Sequence, residues 1–425
     1  MAEPIAVASP DEGAEEASRR VAAFERTGNP ADLWPGLTER ARVGAARELE
    51  RLAREILAGR RGVRIADQID VHALGVAGHT TGMGPVVGRW LEDGWADARP
   101  AVVTVFARHL EHGRGRAERI EREALPAIDA LLTRGIPIVA LKGFHTSRVY
   151  FEEPGMRRLS DVDLLVPAAC VDDAEATLTS TGFQPLGAAH RPYKRDWIGA
   201  GVDPRFFSVE YADARTVWAL ELHASLDRVY NAGAAARLDQ WRQRTDPLVI
   251  AHRPLAGLDP ALLFVYLACH CSQELESMRL LRVFELVRVI RNARAASRFD
   301  WDDVRTLLRD SDAAAFVYPA CALVEDLAPG TVDERILNDA HAASTWSSRH
   351  AVPRLAPAGG SFDERGILRQ LMWTRGAAAI TQRLFRTLWP ASITRPDHVI
   401  PGWRARLRRL RTGLLTFRSP DEHTH

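Results

Sequence analysis

The stretch that most restricts the fold is DVDLLVP, residues 161–167. A short aliphatic run that ends on proline reads as a strand. Side chains alternate across a strand, so Asp161 and Asp163 share one face, roughly 7 Å apart along it. Two carboxylates that close are costly unless a cation lies between them. Upstream, IPIVAL (136–141) is a second β-like run, GFHTSRVYF reads as a short helix, and EEPG as a turn. Downstream, DDAEATLTSTG reads as a capped helix, with Asp172 and Glu175 at capping-box spacing and Gly182 at the exit. RFFSVEY and VWALELHASL are two further β-like runs joined by the turn-like ADAR. Residues 136–226 therefore read β-α-β-α-β-β, a small mixed α/β unit.

The flanks follow the helical period. LTERARVGAARELERLAREILAG closes on Gly59, and RAERIEREALPAIDALLTRG closes on Gly135. From 259 onward DPALLFVYLACHCSQELE, SMRLLRVFELVRVIRNARAA and WDDVRTLLRDSD return to helical spacing. The expected class is α+β, a small mixed-sheet core flanked by N- and C-terminal helical regions. Its expected divisions are a disordered start at 1–15, a helical region at 16–125, the core at 126–250, and a helical domain with an arginine-rich tail at 251–425.

Composition excludes several classes. A formal net charge of +1 gives no reason to expect nucleic acid as a partner. The four cysteines, Cys170, Cys269, Cys271 and Cys321, are too few and too oddly spaced for a disulfide framework, so the reducing cytoplasm is the expected location. The N-terminal segment has no basic start or long apolar core, and the longest apolar run, ALLFVYLAC, is about half the roughly 20 residues a membrane helix needs. Among 56 basic residues only Lys142 and Lys194 are lysines. A GC-rich genome accounts for the shortage, but not for which lysines remain.

Magnesium suits paired hard carboxylates and leaves positions for phosphate oxygens, and such sites align an in-line displacement at phosphorus. WALELH repeats the geometry, with Glu221 and His223 on one strand face. Glu221 can supply a third carboxylate, and Glu210 on the neighbouring run is its rival. His223 reads equally as a ligand-orienting group, a proton relay or a backbone hydrogen-bonding partner. In ALKG, a strand that ends in glycine and opens a helix lets backbone N–H groups approach an anion, and Lys142 beside Gly143 adds a point charge. Arg157 and Arg158 are further phosphate candidates.

Strand, small-residue turn, helix, a DxD strand and a later single carboxylate together resemble the polymerase-β-like nucleotidyltransferase superfamily. Within it, ALKGFHTSRVY, GMRRLSDVDLLVP and LELHASL are similar to the group known as uncharacterised nucleotidyltransferases. The likeness is strong over 136–226 and loose outside. It implies Mg2+ held by Asp161, Asp163 and Glu221, and a nucleoside triphosphate contacted by Lys142, Gly143, Arg157, Arg158, Ser160 and His223. It implies transfer of a nucleotidyl group to an acceptor hydroxyl, which could belong to a small metabolite, a peptide, a protein or an RNA end. The superfamily's usual Gly-Ser is here Lys142-Gly143, so the triphosphate contact must be built differently.

Bland readings compete. Cys269-His270-Cys271 fits no zinc spacing and sits in an apolar helix, so it reads as core. The arginine-rich tail reads as a solvated face rather than a nucleic-acid site. GHTTGMGPVVG follows no clear strand and is no dinucleotide loop. The opposing functional class is a degenerate nucleotide-binding or scaffold protein of the same fold.

Overall fold

The computed structural model describes residues 10–27, 30–186, 194–202, 216–231, 234–273 and 278–354, with three isolated positions besides. The expected strand RFFSVEY with Glu210, and the arginine-rich tail, lie outside the described residues.

The N-terminal flank comprises α1 (Pro10–Thr27), α2 (Glu39–Leu57), β1 (Val63–Arg64), α3 (Val71–Thr81), α4 (Gly84–Glu92), β2 (Ala96–Asp97) and α5 (Pro100–Thr133). Helix α1 begins at Pro10, inside the segment expected to be disordered. At α2 the Thr38 hydroxyl accepts the Ala41 N–H, the N-cap arrangement that satisfies an orphan donor. Helix α5 is 34 residues long and runs through Pro126 without ending, so the boundary expected at 125/126 falls inside one helix.

The central unit holds β3 (Val139–Leu141), α6 (Lys142–Val149), β4 (Asp161–Leu165), α7 (Val171–Ser180), β5 (Phe183–Pro185), β6 (Lys194–Gly199), β7 (Ala219–His223), the hairpin β8 (Arg228–Asn231) and β9 (Ala234–Ala236), β10 (Thr245–Ile250) and β11 (Arg253–Leu258). Seven strands form one mixed sheet in the order β10-β11-β3-β4-β7-β6-β5. Strand β11, beyond the boundary expected at 250, pairs in parallel with β3 and belongs to the sheet. The Asp172 capping box does not form: α7 opens at Val171, its N-cap is Cys170 with no side-chain cap, and Asp172 lies in the first turn.

Register decides which residues meet. Leu141 of β3 faces Asp163 of antiparallel β4, Asp163 faces Glu221 of parallel β7, and Glu221 faces Asp196 of antiparallel β6. Three carboxylates thus stand in one row across three adjacent strands. The intervening positions, Val162, Leu164, Leu220 and Leu222, turn to the other face and pack with Ile120, Ile128 and Leu131 of α5 and Leu178 of α7. A one-residue slip would drive the carboxylates into that apolar layer, so period two fixes the register.

The C-terminal flank comprises α8 (Pro260–Gln273), α9 (Leu280–Ala295), α10 (Trp301–Asp310), α11 (Ala314–Leu327), α12 (Glu334–Ala343) and α13 (Trp346–Ala351). The two flanks are not separate layers. Leu49, Leu74 and Phe106 share one core with Phe264, Phe284 and Val324. Trp90 meets Phe284 edge-on at 5.5 Å, and Arg291 donates to the Leu57 carbonyl at 2.6 Å. The carboxylate face of the sheet looks toward these merged helices. Among the described residues no helix is long and apolar enough to cross a membrane.

Candidate functional site

Both lysines of the chain end in this site. Lys142 opens α6 with φ +43°, a left-handed conformation that costs a side-chain-bearing residue about 1–2 kcal/mol. Its ammonium lies 2.6 Å from Asp163 Oδ1 and 3.2 Å from Glu221 Oε2, which offsets that strain. Lys194, on β6, places its ammonium 2.6 Å from Glu221 Oε1 and 3.2 Å from Asp196 Oδ1. Lys142 and Lys194 are 7% and 9% exposed, so neither is a surface lysine. The sequence offered no motif for Lys194, because its partner is reached only through the β6–β7 pairing.

His223 completes the cluster, with Nε2 at 2.8 Å from Asp163 Oδ1 and 3.3 Å from Glu221 Oε2. Single ligand atoms of Asp163, Glu221 and His223 all lie within 4.8 Å of one another. Asp163 is fully buried, and its Oδ2 has no hydrogen-bond partner among the described residues. An orphaned buried carboxylate oxygen is expensive and points to a ligand that would engage it.

The acids differ in proton affinity. Burial opposes ionisation of Glu221, but Lys142, the His223 hydrogen bond and Lys194 outweigh it and hold the carboxyl well below the usual range. Burial, then Asp163 and Glu221, push Asp161 up to about 6. Burial opposes the charge on Lys142, yet Asp163 and Glu221 keep the ammonium above the ordinary lysine range. Glu221 is therefore a poor proton acceptor, and Asp161 the better one.

Gly143 and Arg157 fit together. A Cβ on Gly143 would collide with the Arg157 guanidinium, so glycine permits the close approach here. Arg157 is held by Glu285 of α9, with Nε to Oε1 at 2.9 Å and Nη2 to Oε2 at 3.2 Å. Thr146 also donates to Glu285. Arg158 donates to His79 Nδ1 at 2.9 Å, and burial together with Arg158 and Arg279 holds His79 neutral. Arg157 and Arg158 line the cleft, and each has a protein partner. Ser160 and Asp161 line the same cleft, of about 60 Å³, with Lys142, His270, Arg279 and Arg282. A larger hollow of about 390 Å³ beside Leu125 and Arg253 lies away from these groups.

One positioning residue was not foreseen. Arg116 of α5 is 2% exposed and donates to the Leu159 carbonyl at 2.6 Å, Thr216 at 2.6 Å and Val217 at 3.0 Å. It ties together the approaches to β4 and β7, and so the spacing of Asp163 and Glu221. Its partners lie up to 101 residues away, beyond any sequence window. Cys269 and Cys271 are buried among the core residues, and burial pushes the Cys269 thiol up to about 12.

No curated protein and no solved structure matches this chain. A family model described as "Uncharacterised nucleotidyltransferase" matches residues 67–329, which span α3 to α11 and include every site residue named above. That match takes in well over half of the sequence, and the chain belongs to the uncharacterised nucleotidyltransferase family.

Proposed function

We propose that the protein is a magnesium-dependent nucleotidyltransferase with a polymerase-β-like core, moving a nucleoside monophosphate from a triphosphate to an acceptor hydroxyl. The observation that carries the reading is the carboxylate set Asp161, Asp163 and Glu221 on paired parallel strands. The donor set fits a divalent ion. Asp161, Asp163, Asp196 and Glu221 bring four carboxylates together with the two ammonium groups of Lys142 and Lys194. Asp161, Asp163 and Glu221 would hold the ion, through hard oxygens that include the orphaned Asp163 Oδ2. A bound Mg2+ supplies charge neutralisation at the phosphate and acidifies a nearby hydroxyl.

The chain's own residues do the rest. The acceptor oxygen forms a bond to the α-phosphorus as the bond to the β-phosphate bridging oxygen breaks, and pyrophosphate leaves. The acceptor hydroxyl gives up its proton to water as its bond to phosphorus forms. His223 and Lys194 orient Asp163 and Glu221, so the charge-stabilising array is set before substrate arrives. Arg116 keeps the two strands in place.

One observation favours a second reading. The Lys142 ammonium lies between Asp163 and Glu221, where a metal ion would be held, so the protein could bind nucleotide without turning it over. Calorimetric titration of each nucleoside triphosphate with magnesium decides between them, using the wild type and the Asp161→Asn/Asp163→Asn variant. Magnesium-dependent binding lost in the variant, with transfer detected by mass spectrometry of the acceptor pool and abolished by Asp163→Asn, supports the enzyme. Nucleotide binding that needs no magnesium and survives both substitutions supports the binding protein.

A further inference from the structure

The cleft beside Asp161 is narrow. Its volume of about 60 Å³ has room for a few water molecules, whereas a pocket for a nucleotide-sized ligand is on the order of 300 Å³ or more. Two contacts from α9 close it. Leu281, at the start of that helix, packs so tightly on Gly82 that a Cβ there would lie 2.9 Å from its side chain. One turn further on, Glu285 lines the cleft and holds residues of two other segments. Its Oε1 accepts from Arg157 Nε at 2.9 Å and from the Thr146 hydroxyl of α6, and its Oε2 accepts from Arg157 Nη2 at 3.2 Å. Glu285 and Thr146 are 2% and 0% exposed, so the contact is a buried one.

This pairing has the form of a phosphate site. A guanidinium grips carboxylate and phosphate oxygens with the same two-pronged geometry. Arg157 lies over Gly143, whose missing Cβ leaves room for it at the turn from β3 into α6. Its third nitrogen, Nη1, donates to the Arg158 carbonyl at 2.9 Å and fixes the plane of the fork. Arg157 also acts on the carboxylate end of the cleft: burial, Asp163 and Glu221 raise Asp161, while Lys142 and Arg157 oppose the rise.

We infer that Glu285 is a placeholder for a phosphate group of the triphosphate, holding Arg157 until a nucleotide enters and giving it up then. The inference deepens the nucleotidyltransferase reading and rests on it for the identity of the ligand. A triphosphate offers Arg157 the same paired oxygens with more negative charge, so the fork passes to it without changing place. The freed Glu285 then faces an anion across the cleft, and their repulsion drives α9 away from α6. Entry of the nucleotide and widening of the cleft are thus one event.

The test is magnesium-free calorimetric titration of inorganic tripolyphosphate into the full chain. The proteins are the wild type, Glu285→Gln, Thr146→Val, Arg157→Gln and the Arg157→Gln/Glu285→Gln double variant. Thr146→Val loosens Glu285 without altering charge, and it carries the test should Glu285→Gln fail to fold. The displacement predicts affinity about tenfold higher in Glu285→Gln and about threefold higher in Thr146→Val, the worth of the hydrogen bonds no longer competed for. In Arg157→Gln affinity should fall about tenfold, and adding Glu285→Gln should restore nothing, because the two side chains act as a unit. Unchanged or weaker binding in Glu285→Gln, or in Thr146→Val where only that variant folds, overturns the inference, since a purely structural ion pair then accounts for the contact. A gain in Glu285→Gln that persists without Arg157 also overturns it, because loss of one negative charge then suffices. If the predicted pattern holds while Asp163→Asn leaves transfer unchanged, the displacement stands and the proposed reaction falls. If Asp163→Asn abolishes transfer and the pattern is absent, the reaction stands and the displacement falls.

Discussion

Replacing Lys142 by methionine keeps most of the side-chain volume and removes the ammonium between Asp163 and Glu221. Each contact carries a Coulomb attraction of about 5–6 kcal/mol at an effective dielectric near 20. Desolvation of the ammonium cancels part of this, and breaking one side of a buried ion pair typically leaves a net loss of about 3–5 kcal/mol. With roughly 1–2 °C lost per kcal/mol in a chain of 425 residues, the unfolding temperature should fall by roughly 3–10 °C.

The pH dependence makes the prediction sharper. In the wild type Lys142 is raised, so its contribution is complete below the unfolded value of about 10.4 and is lost only as pH climbs through its higher folded value. Glu221 is depressed, so its contribution is complete above about 4.3 and is lost as pH falls through its lower folded value. These two groups therefore add no slope between about pH 5 and 9. In Lys142→Met, burial and neighbouring carboxylates would raise the site's acids, and their ionisation would destabilise the fold as pH rises. Differential scanning fluorimetry from pH 5 to 8.5 should show a deficit that grows with pH. Magnesium should restore more of it in the variant than it adds to the wild type, because the ammonium no longer competes. A deficit of less than about 3 °C at pH 8, or one that shrinks as pH rises, would refute the electrostatic account.

Two other outcomes are expected. Arg116→Met leaves three carbonyls at the strand approaches without their buried donor and should cost about 3 kcal/mol or more in chemical denaturation, while Arg116→Lys recovers only part of it; an unchanged denaturation midpoint in Arg116→Met would show that the strands hold their spacing without it. Asp161, raised to about 6, takes up a proton as pH falls through that value, so manganese affinity followed by calorimetry should weaken between pH 7 and 5 and do so less in Asp161→Asn; identical pH profiles for the two proteins would remove Asp161 from the ion's ligand set.

What the sequence disclosed was whatever a single element encodes. Parity along DVDLLVP put Asp161 and Asp163 on one strand face, parity along ALELH did the same for Glu221 and His223, and β4 and β7 carry them so. What it withheld depends on distant pairing. Lys194 reaches Glu221 through an antiparallel register between two strands separated by undescribed chain. Arg116 acts on carbonyls at Leu159, Thr216 and Val217. Lys142 was expected to meet a phosphate beside Gly143, but a left-handed backbone at its own position turns the ammonium onto the carboxylates. The flanks read as separate helical regions because periodicity shows which face is apolar and never what covers it.

The burial of both lysines has a practical reach beyond stability. Among side chains, the only two amines in this protein sit in its candidate site, each less than a tenth exposed. Acylating reagents, amine-directed crosslinkers and lysine-modifying enzymes therefore find no side-chain target on the folded surface. Any lysine labelling that does occur reports opening of the site itself, so the rate of acylation at Lys142 or Lys194 becomes a ready clock for how often that happens, and its slowing by a nucleotide a direct sign of occupancy.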